Sequence, residues 1–599
     1  MPLRRWIFVI LTAALTATIT VAQVGRGGSQ WPTTQADAQR TSWIRTDSKI
    51  SVDAMSKPGF EPQWKVKLDN QPRGPYGLLQ GVSAAGVTLF IPMSIVAGSS
   101  NNLFALDNDT GYVVWQRRFD AALPPPTSEC PGGITAAATR LVKLDASAPA
   151  AGGINFGGGN AGFRSVIGEP GQGVPLEGRG GRGPAPGAPN AGPARGAAPD
   201  AGRGAAPDAA RGTPPAAPPA APPARGRANQ PPAERIPGTP PAPEAGGFGF
   251  LARPSGVAYV VASDGVLHVV GLASGKDLQR PAEFLPPNAK WSAPIGVNTM
   301  LYAATSGTCG GTPPGVFAID LDSDAKAVIS WKTNGGPIVG ALAFTPNGTL
   351  IAAVGPGQAS AGGKSNAIVA LDPKTLQIQN WFTQPDAEFV TGPTIIRYND
   401  MDIVAAATRD GRVVLLDPTS LGGSDHSTPL HVSKPFVGAG ASVSGDALAA
   451  WQEANGGASW ILLPVSGTVV AGNSATNGIV RNGAVVALKL MGTSGAISVD
   501  PRWVSRDLSS PATPLIVNGV VFALGMGTQT ATPGRSGGAV LSAYEGATGR
   551  QLWTSGQAMT GVASPGSLWS TTGQVYVGLR DGTLHAFGFN DERSPFVVK

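Results

Sequence analysis

Eight times along its 599 residues the chain repeats a short apolar strand, and most copies continue into a polar turn and a tryptophan. Two copies carry the whole pattern. Leu103-Phe104-Ala105-Leu106-Asp107 leads to Thr110-Gly111 and Trp115, and Leu541-Ser542-Ala543-Tyr544-Glu545 leads to Thr548-Gly549 and Trp553. From Val269 onward the mid-strand residue recurs at Ala318, Ala370, Leu415, Ala487, Ala543 and Ala586, at intervals of 43 to 72 residues. A repeat of roughly 40–50 residues is one supersecondary unit that cannot bury its apolar face alone. Unit stacked on unit buries a continuous core, and a four-stranded blade has this length.

The turn and the tryptophan each have a physical task. Asp and Thr satisfy nearby backbone donors, and Gly permits positive φ, so Asp-x-x-Thr-Gly makes a tight turn. The Trp offers a wide apolar face for packing between blades, with an indole N–H that needs an acceptor. By this reading Trp64, Trp115, Trp331, Trp381, Trp503 and Trp553 are structural docking residues. The predicted fold is all-β: an eight-bladed β-propeller of four-stranded antiparallel blades.

The pattern Ala-x-Asp-x-x-Thr-Gly-x-x-x-Trp, cleanest from Ala105 to Trp115, resembles the docking repeat of the pyrroloquinoline-quinone (PQQ) quinoprotein propellers. The opening Trp31-Pro32-Thr33-Thr34-Gln35-Ala36-Asp37, with Arg40 and Trp43 after it, resembles the N-terminal segment of the same family. The resemblance covers the chain outside its first residues and a central insert. It implies the propeller fold and makes a PQQ- and calcium-dependent dehydrogenase of alcohols or sugars the alternative function.

Ring closure is legible too. The last motif, Leu584 to Phe587, has no tryptophan after it, whereas Gln63-Trp64-Lys65-Val66-Lys67 has one with no motif before it. This early strand is expected to complete the final blade and so remove the open edges. Asp264-Gly265, Asp410-Gly411 and Asp581-Gly582 read as hairpin turns between second and third strands. Elsewhere longer stretches are expected in that place: Ile95 to Asn102, Ser306 to Gly315, Gly355 to Asn366, Ala471 to Asn482 and Gly525 to Gly538. Five enlarged loops would then share one end of the ring, the end where a protein or envelope partner would bind.

Four segments are expected. Residues 1–22 read as a signal peptide, with Arg4 and Arg5 ahead of an apolar run that ends at Ala22; a retained signal anchor is the alternative. Residues 23–145 hold the N-terminal segment, the closing strand and the first blade. Residues 146–249 form a Pro/Gly/Ala-rich insert too poor in large apolar side chains to order itself. Residues 250–599 form the remaining blades. No later stretch reads as a membrane span, so the mature chain is expected to be soluble, periplasmic or secreted, and monomeric.

The formal charge of +6 invites a nucleic-acid reading. Yet from Pro149 to Phe250 nine Arg stand against six acidic residues, so half the excess belongs to the insert. No nucleic-acid partner is expected, despite the RGG-like run Gly178 to Gly183.

Chemistry-bearing motifs are sparse. The two cysteines, Cys130 and Cys309, are expected to pair, since export permits oxidation and only one internal pairing exists. The adjacent cysteine pair and the Trp-Asp-Tyr-Asp segment of many quinoprotein dehydrogenases are missing, and no Cys-x-x-Cys-His offers a haem site. Asp320-Leu321-Asp322-Ser323-Asp324 imitates a calcium loop, but Ala325 and Trp331 stand where Gly and an acidic ligand are needed. His268 and His585 occupy the slot of Phe104 and Phe317 and read as packing residues; His426 and His431 lie in a polar loop. No catalytic or metal-binding residues are assigned and no cofactor is expected, PQQ and calcium remaining the alternative. The leading reading is an exported, non-catalytic binding or scaffolding propeller of the cell envelope.

Overall fold

The computed structural model describes residues 30–84, 91–127, 129–144, 256–307, 309–384, 386–470, 476–493, 496–529 and 536–590. The expected signal peptide and insert lie outside these residues. The chain is an eight-bladed β-propeller of four-stranded antiparallel sheets.

Blade 1 is built from 78–84, Met93–Gly98, Asn102–Asp107 and Val113–Arg118. In blade 2 the inner strand pairs through Thr139 with Tyr259, next to Val257–Val261, Val266–Gly271 and Ala282–Glu283. Blades 3 to 7 follow in chain order. Blade 8 takes three strands from Ala563–Phe589 and its outer strand from Phe60–Lys67, with Trp64 opposite Ala586. The early strand thus closes the ring, as its unpaired tryptophan required.

The repeat explains the packing. In blade 1 the turn is knit by Gly111 N–H donating to the Asp107 carbonyl at 2.9 Å and by the Thr110 hydroxyl donating to the Asp107 carboxylate at 2.9 Å. Gly111 sits at φ +71°, and a Cβ there would lie 2.5 Å from the Trp64 ring. Conformation and contact both demand glycine. Mid-strand Ala105, Ala318, Ala487, Ala543 and Ala586 are buried, which lets neighbouring sheets approach.

A second closure device was not foreseen. The segment Trp31–Ile44 runs as a belt along the inner strands, bonding blades 1 to 7 in turn. Trp31 meets Ser83 of blade 1, Pro32 meets Arg140 of blade 2, and Thr33 meets Pro294 of blade 3. Ala38, Gln39, Thr41 and Ser42 then accept from Phe344, Ile395, Ala450 and Ile516 of blades 4 to 7. Arg40, with no exposed surface, donates to the carbonyls of Leu342 and Ala293 and to the Thr33 hydroxyl. Burial lowers its pKa to about 9, partly opposed by Asp37. Fixed carbonyl dipoles replace the water this cation has lost.

Among the described residues no helix is long and apolar enough to cross a membrane.

Candidate functional site

In an antiparallel blade successive loops alternate between the two ends of the ring. Four blades enlarge the connection between their second and third strands: 306–314 in blade 3, 355–366 in blade 4, 467–482 in blade 6 and 526–539 in blade 7. Blades 2, 5 and 8 keep the short hairpins read from Asp-Gly. Blade 1 corrects the expectation of a fifth enlarged loop. Its strand Met93–Gly98 continues to a turn at 99–101, where Asn101 adopts φ +61°. The side chain of Asn70 holds that turn by accepting from Ser100 N–H at 3.0 Å and from its hydroxyl at 2.8 Å. A Gly-Ser-Ser-Asn stretch that reads as loop is therefore a tight hairpin stabilised from another blade.

A disulfide joins Cys130 to Cys309 with a Cα separation of 5.4 Å. It ties the link between blades 1 and 2 to the enlarged loop of blade 3, on the same end of the ring. The Arg73 guanidinium grips the Cys130 loop, donating to the Pro131 carbonyl at 2.8 Å and to that of Pro124.

Three ionisable side chains that sequence reasoning missed act on one another electrostatically: Tyr76 just ahead of blade 1, Lys290 just ahead of blade 3 and Asp446 of blade 6. Asp446 stands in an inner-strand bulge. Val443 pairs with Val465 and Ala449 with Leu462, which sets the five residues 444–448 opposite only two, 463–464. Bulges re-aim side chains in this way. The enclosing protein raises the Asp446 carboxyl above its usual value by desolvation, which Lys290 opposes. The Tyr76 phenol is raised by burial and then by Asp446. Their only sequence signal is an isolated charge beside an apolar strand, which has no spacing to recognise.

The docking tryptophans divide into two groups. Trp64, Trp115 and Trp503 each lie on the turn glycine of the next blade and donate to a turn carbonyl, of Asn108 at 2.9 Å, Leu272 at 2.8 Å and Gly546 at 2.8 Å respectively. The other three adapt to a changed neighbour. Trp331 packs in a cluster with Leu376, which takes the glycine's place at φ +57°. Trp381 stacks on His426 at 3.6 Å, under the Lys364 ammonium. Trp553 faces blade 8, which has no such turn, and meets Phe60 edge-on at 4.9 Å.

The histidines differ from their reading in one respect. His268 is no plain packing residue: its Nδ1 lies 3.2 Å from Asp277, which also pairs with Arg117 at 2.6 Å. This polar triad bridges blades 1 and 2. His585 is buried beside Phe587. His426 and His431 are not brought together on a common ligand, since His431 pairs with Leu415 in blade 5. Asp320 caps its own turn by accepting from Asp322 N–H at 3.0 Å.

No protein-family model matches the chain, and no curated protein does. Among solved structures, a europium-containing methanol dehydrogenase matches with a TM-score of 0.50 at 11% identity, over 94% of this chain and 98% of that chain. The likeness is one of fold. A quinohemoprotein alcohol dehydrogenase from Comamonas testosteroni matches with a TM-score of 0.47 at 14% identity, over 97% of this chain and 84% of that chain. BamB from Moraxella catarrhalis matches with a TM-score of 0.34 at 17% identity, over 57% of this chain and 82% of that chain.

The resemblance of the repeat to quinoprotein propellers raises the question of a calcium-bound quinone. Calcium takes six to eight oxygen ligands, several from carboxylates. Among the described residues no three His, Cys, Asp or Glu side chains gather as a metal site. The charged group acting on Asp446 is Lys290, a cation. The Arg73 guanidinium is already used on Pro124 and Pro131. This donor set does not fit a calcium-bound quinone.

Proposed function

We propose that this protein is an exported, non-catalytic binding or scaffolding propeller of the cell envelope, which engages a protein or other envelope component through its enlarged-loop end. The observation that carries the reading is the gathering of four enlarged loops at one end of a rigid ring, stapled there by the disulfide. Binding residues concentrate on loops held by such a scaffold. Ile479, in the loop of blade 6, is 72% exposed and gives that rim an apolar contact point. The apolar N-terminal run supports export through a signal peptide of residues 1–22.

The test places a photo-crosslinking residue at Ile479 and, separately, at the exposed Tyr112 in the turn before the outer strand of blade 1, in cells exporting the protein. A discrete adduct from position 479, absent from position 112, is expected. The alternative, a PQQ- and calcium-dependent dehydrogenase, is checked by adding both to the purified protein. A bound quinone chromophore with dye-linked alcohol oxidation would overturn the proposal.

A further inference from the structure

A cleft of about 470 Å³ opens where the enlarged loop of blade 6 meets blade 7. Asn477 and Ile479 of that loop form one wall, and Arg506 stands in the link after the outer strand of blade 6. Ser542, Gln551 and Thr554, from the last two strands of blade 7, form the other side. The volume lies in the range of about 300–1,000 Å³ typical of ligand pockets.

The walls are fixed before anything binds. The Asn477 side-chain amide donates to the carbonyls of Val504 at 2.8 Å and Gly549 at 2.9 Å, so one residue ties the loop to both blades. The Asp507 carboxylate accepts from the N–H groups of Arg481 at 2.8 Å and Asn482 at 2.7 Å, and from the Asn482 amide at 2.6 Å. Burial works to raise its pKa, but these donors outweigh it and hold the carboxyl below its usual value. The Arg506 N–H donates to the Tyr544 hydroxyl at 3.2 Å, which seats residue 506 against the third strand of blade 7. Across the cleft the Ser542 hydroxyl donates to that of Thr554 at 3.3 Å. A preformed cleft of this kind spares a ligand the cost of ordering it.

Its charge is lopsided. Asp507 is spent on the backbone of the loop, whereas the neighbouring Arg506 is exposed and, among the described residues, pairs with no carboxylate. Arg506 is also the one cation among the residues lining the cleft. A single guanidinium fork matches one carboxylate through two parallel hydrogen bonds. Beside it stand the exposed Ile479 and, deeper, Leu508 and Val540, which offer apolar contact. No aromatic ring lines the cleft for a sugar to stack on. A carboxylate next to an apolar side chain, carried on a peptide backbone, meets all of these groups.

We propose that the cleft between blades 6 and 7 takes an acidic segment of the partner's polypeptide, with a carboxylate on Arg506, an adjoining apolar side chain against Ile479, and the peptide backbone on Gln551 and the Ser542–Thr554 hydroxyls. This inference rests on the reading of the enlarged-loop end as a binding rim, and adds the chemistry of the partner.

The test is fluorescence anisotropy of the oxidised full chain with a labelled six-residue peptide of alternating glutamate and leucine. The same peptide with glutamine for glutamate, and an oligogalacturonate, serve as comparisons. The acidic peptide is expected to bind saturably, and the glutamine peptide at least about tenfold more weakly, the loss of a charged hydrogen bond. Arg506→Gln should weaken the acidic peptide by a similar factor, and Arg506→Lys, which keeps the charge without the fork, by less. Residue 506 is exposed, so neither change should lower the melting temperature. Arg118→Gln removes another exposed arginine, in blade 1, and should leave binding unchanged. In exporting cells Arg506→Gln should also weaken the adduct formed from position 479. Absence of saturable binding, equal affinity for the two peptides, an equal loss in Arg118→Gln, or tighter binding of the oligogalacturonate overturns the inference. An adduct that survives Arg506→Gln unchanged overturns it too but leaves the rim reading standing, whereas absence of any adduct removes both.

Discussion

Trp503 offers the sharpest test of blade docking. It is 1% exposed, its indole donates to the Gly546 carbonyl at 2.8 Å, and its ring stacks 5.8 Å from Tyr544. Trp503→Ala removes a large buried aromatic, a loss of about 3–5 kcal/mol. The Gly546 carbonyl left without its donor adds about 1–3 kcal/mol. Gly549→Ala attacks the same contact from the other side. Its φ of +74° costs an L-residue about 1–2 kcal/mol. The added Cβ would also lie 2.5 Å from the Trp503 ring, which forces the ring to move. In the double variant the ring is gone, but the Cβ of residue 503 still stands 2.6 Å from the added Cβ, so the ring's share of the clash is relieved while the backbone cost and part of the steric cost remain. The two substitutions together should therefore cost less than their sum, by about 1–3 kcal/mol. Urea unfolding followed by far-ultraviolet circular dichroism measures all four proteins, and the midpoints are compared at equal slope. A Trp503→Ala loss below about 1 kcal/mol, the range of an ordinary surface site, would refute the docking argument. So would additivity within about 0.5 kcal/mol.

Other outcomes follow from the belt, the histidines, the cysteines and the insert. Arg40→Met strips donors from buried carbonyls of blades 3 and 4 and should cost about 3–5 kcal/mol, read from the same unfolding curves; a loss under about 1 kcal/mol would mean the belt adds little. Burial depresses the His585 pKa, so its neutral form is favoured: stability is full above about pH 6.5 and falls as pH drops through the folded value. His585→Phe should accordingly flatten the acid side of the melting-temperature profile, and an unchanged profile counts against it. Denatured, unreduced protein should show no free thiol, and Cys130→Ser should lower stability by up to about 5 kcal/mol given the 179-residue separation of the two cysteines. Deleting 149–244 should leave the melting temperature nearly unchanged, since that stretch has no docking motif; a large drop would show that it packs on the ring.

The blade repeat was legible because it rests on local chemistry. A turn needs Asp, Thr and Gly at fixed offsets, and a small residue must sit where sheets approach. Blade number, the closing strand and the Asp-Gly hairpins all follow from such short patterns. The misreadings arose where a local signal was answered from elsewhere in the fold. The Gly98 to Asn101 stretch has loop composition but is held tight by Asn70. His268 fills an aromatic slot but is claimed by Asp277 across the sheet, and by Arg117 of blade 1. Leu376 occupies a glycine's position because Trp331 packs against its side chain.

The sequence by itself determined the fold class, the repeat and the manner of ring closure, since each is specified within a few tens of residues. Only the tertiary structure decided what meets at the centre. Trp31 to Ile44 has no periodicity that announces a belt, and its bonds go to inner strands up to hundreds of residues away. Tyr76, Lys290 and Asp446 share no motif and come from three distant stretches of the chain. Closing the ring brings such distant stretches together, and that geometry, unlike a turn or a strand, is written in no local stretch of the chain.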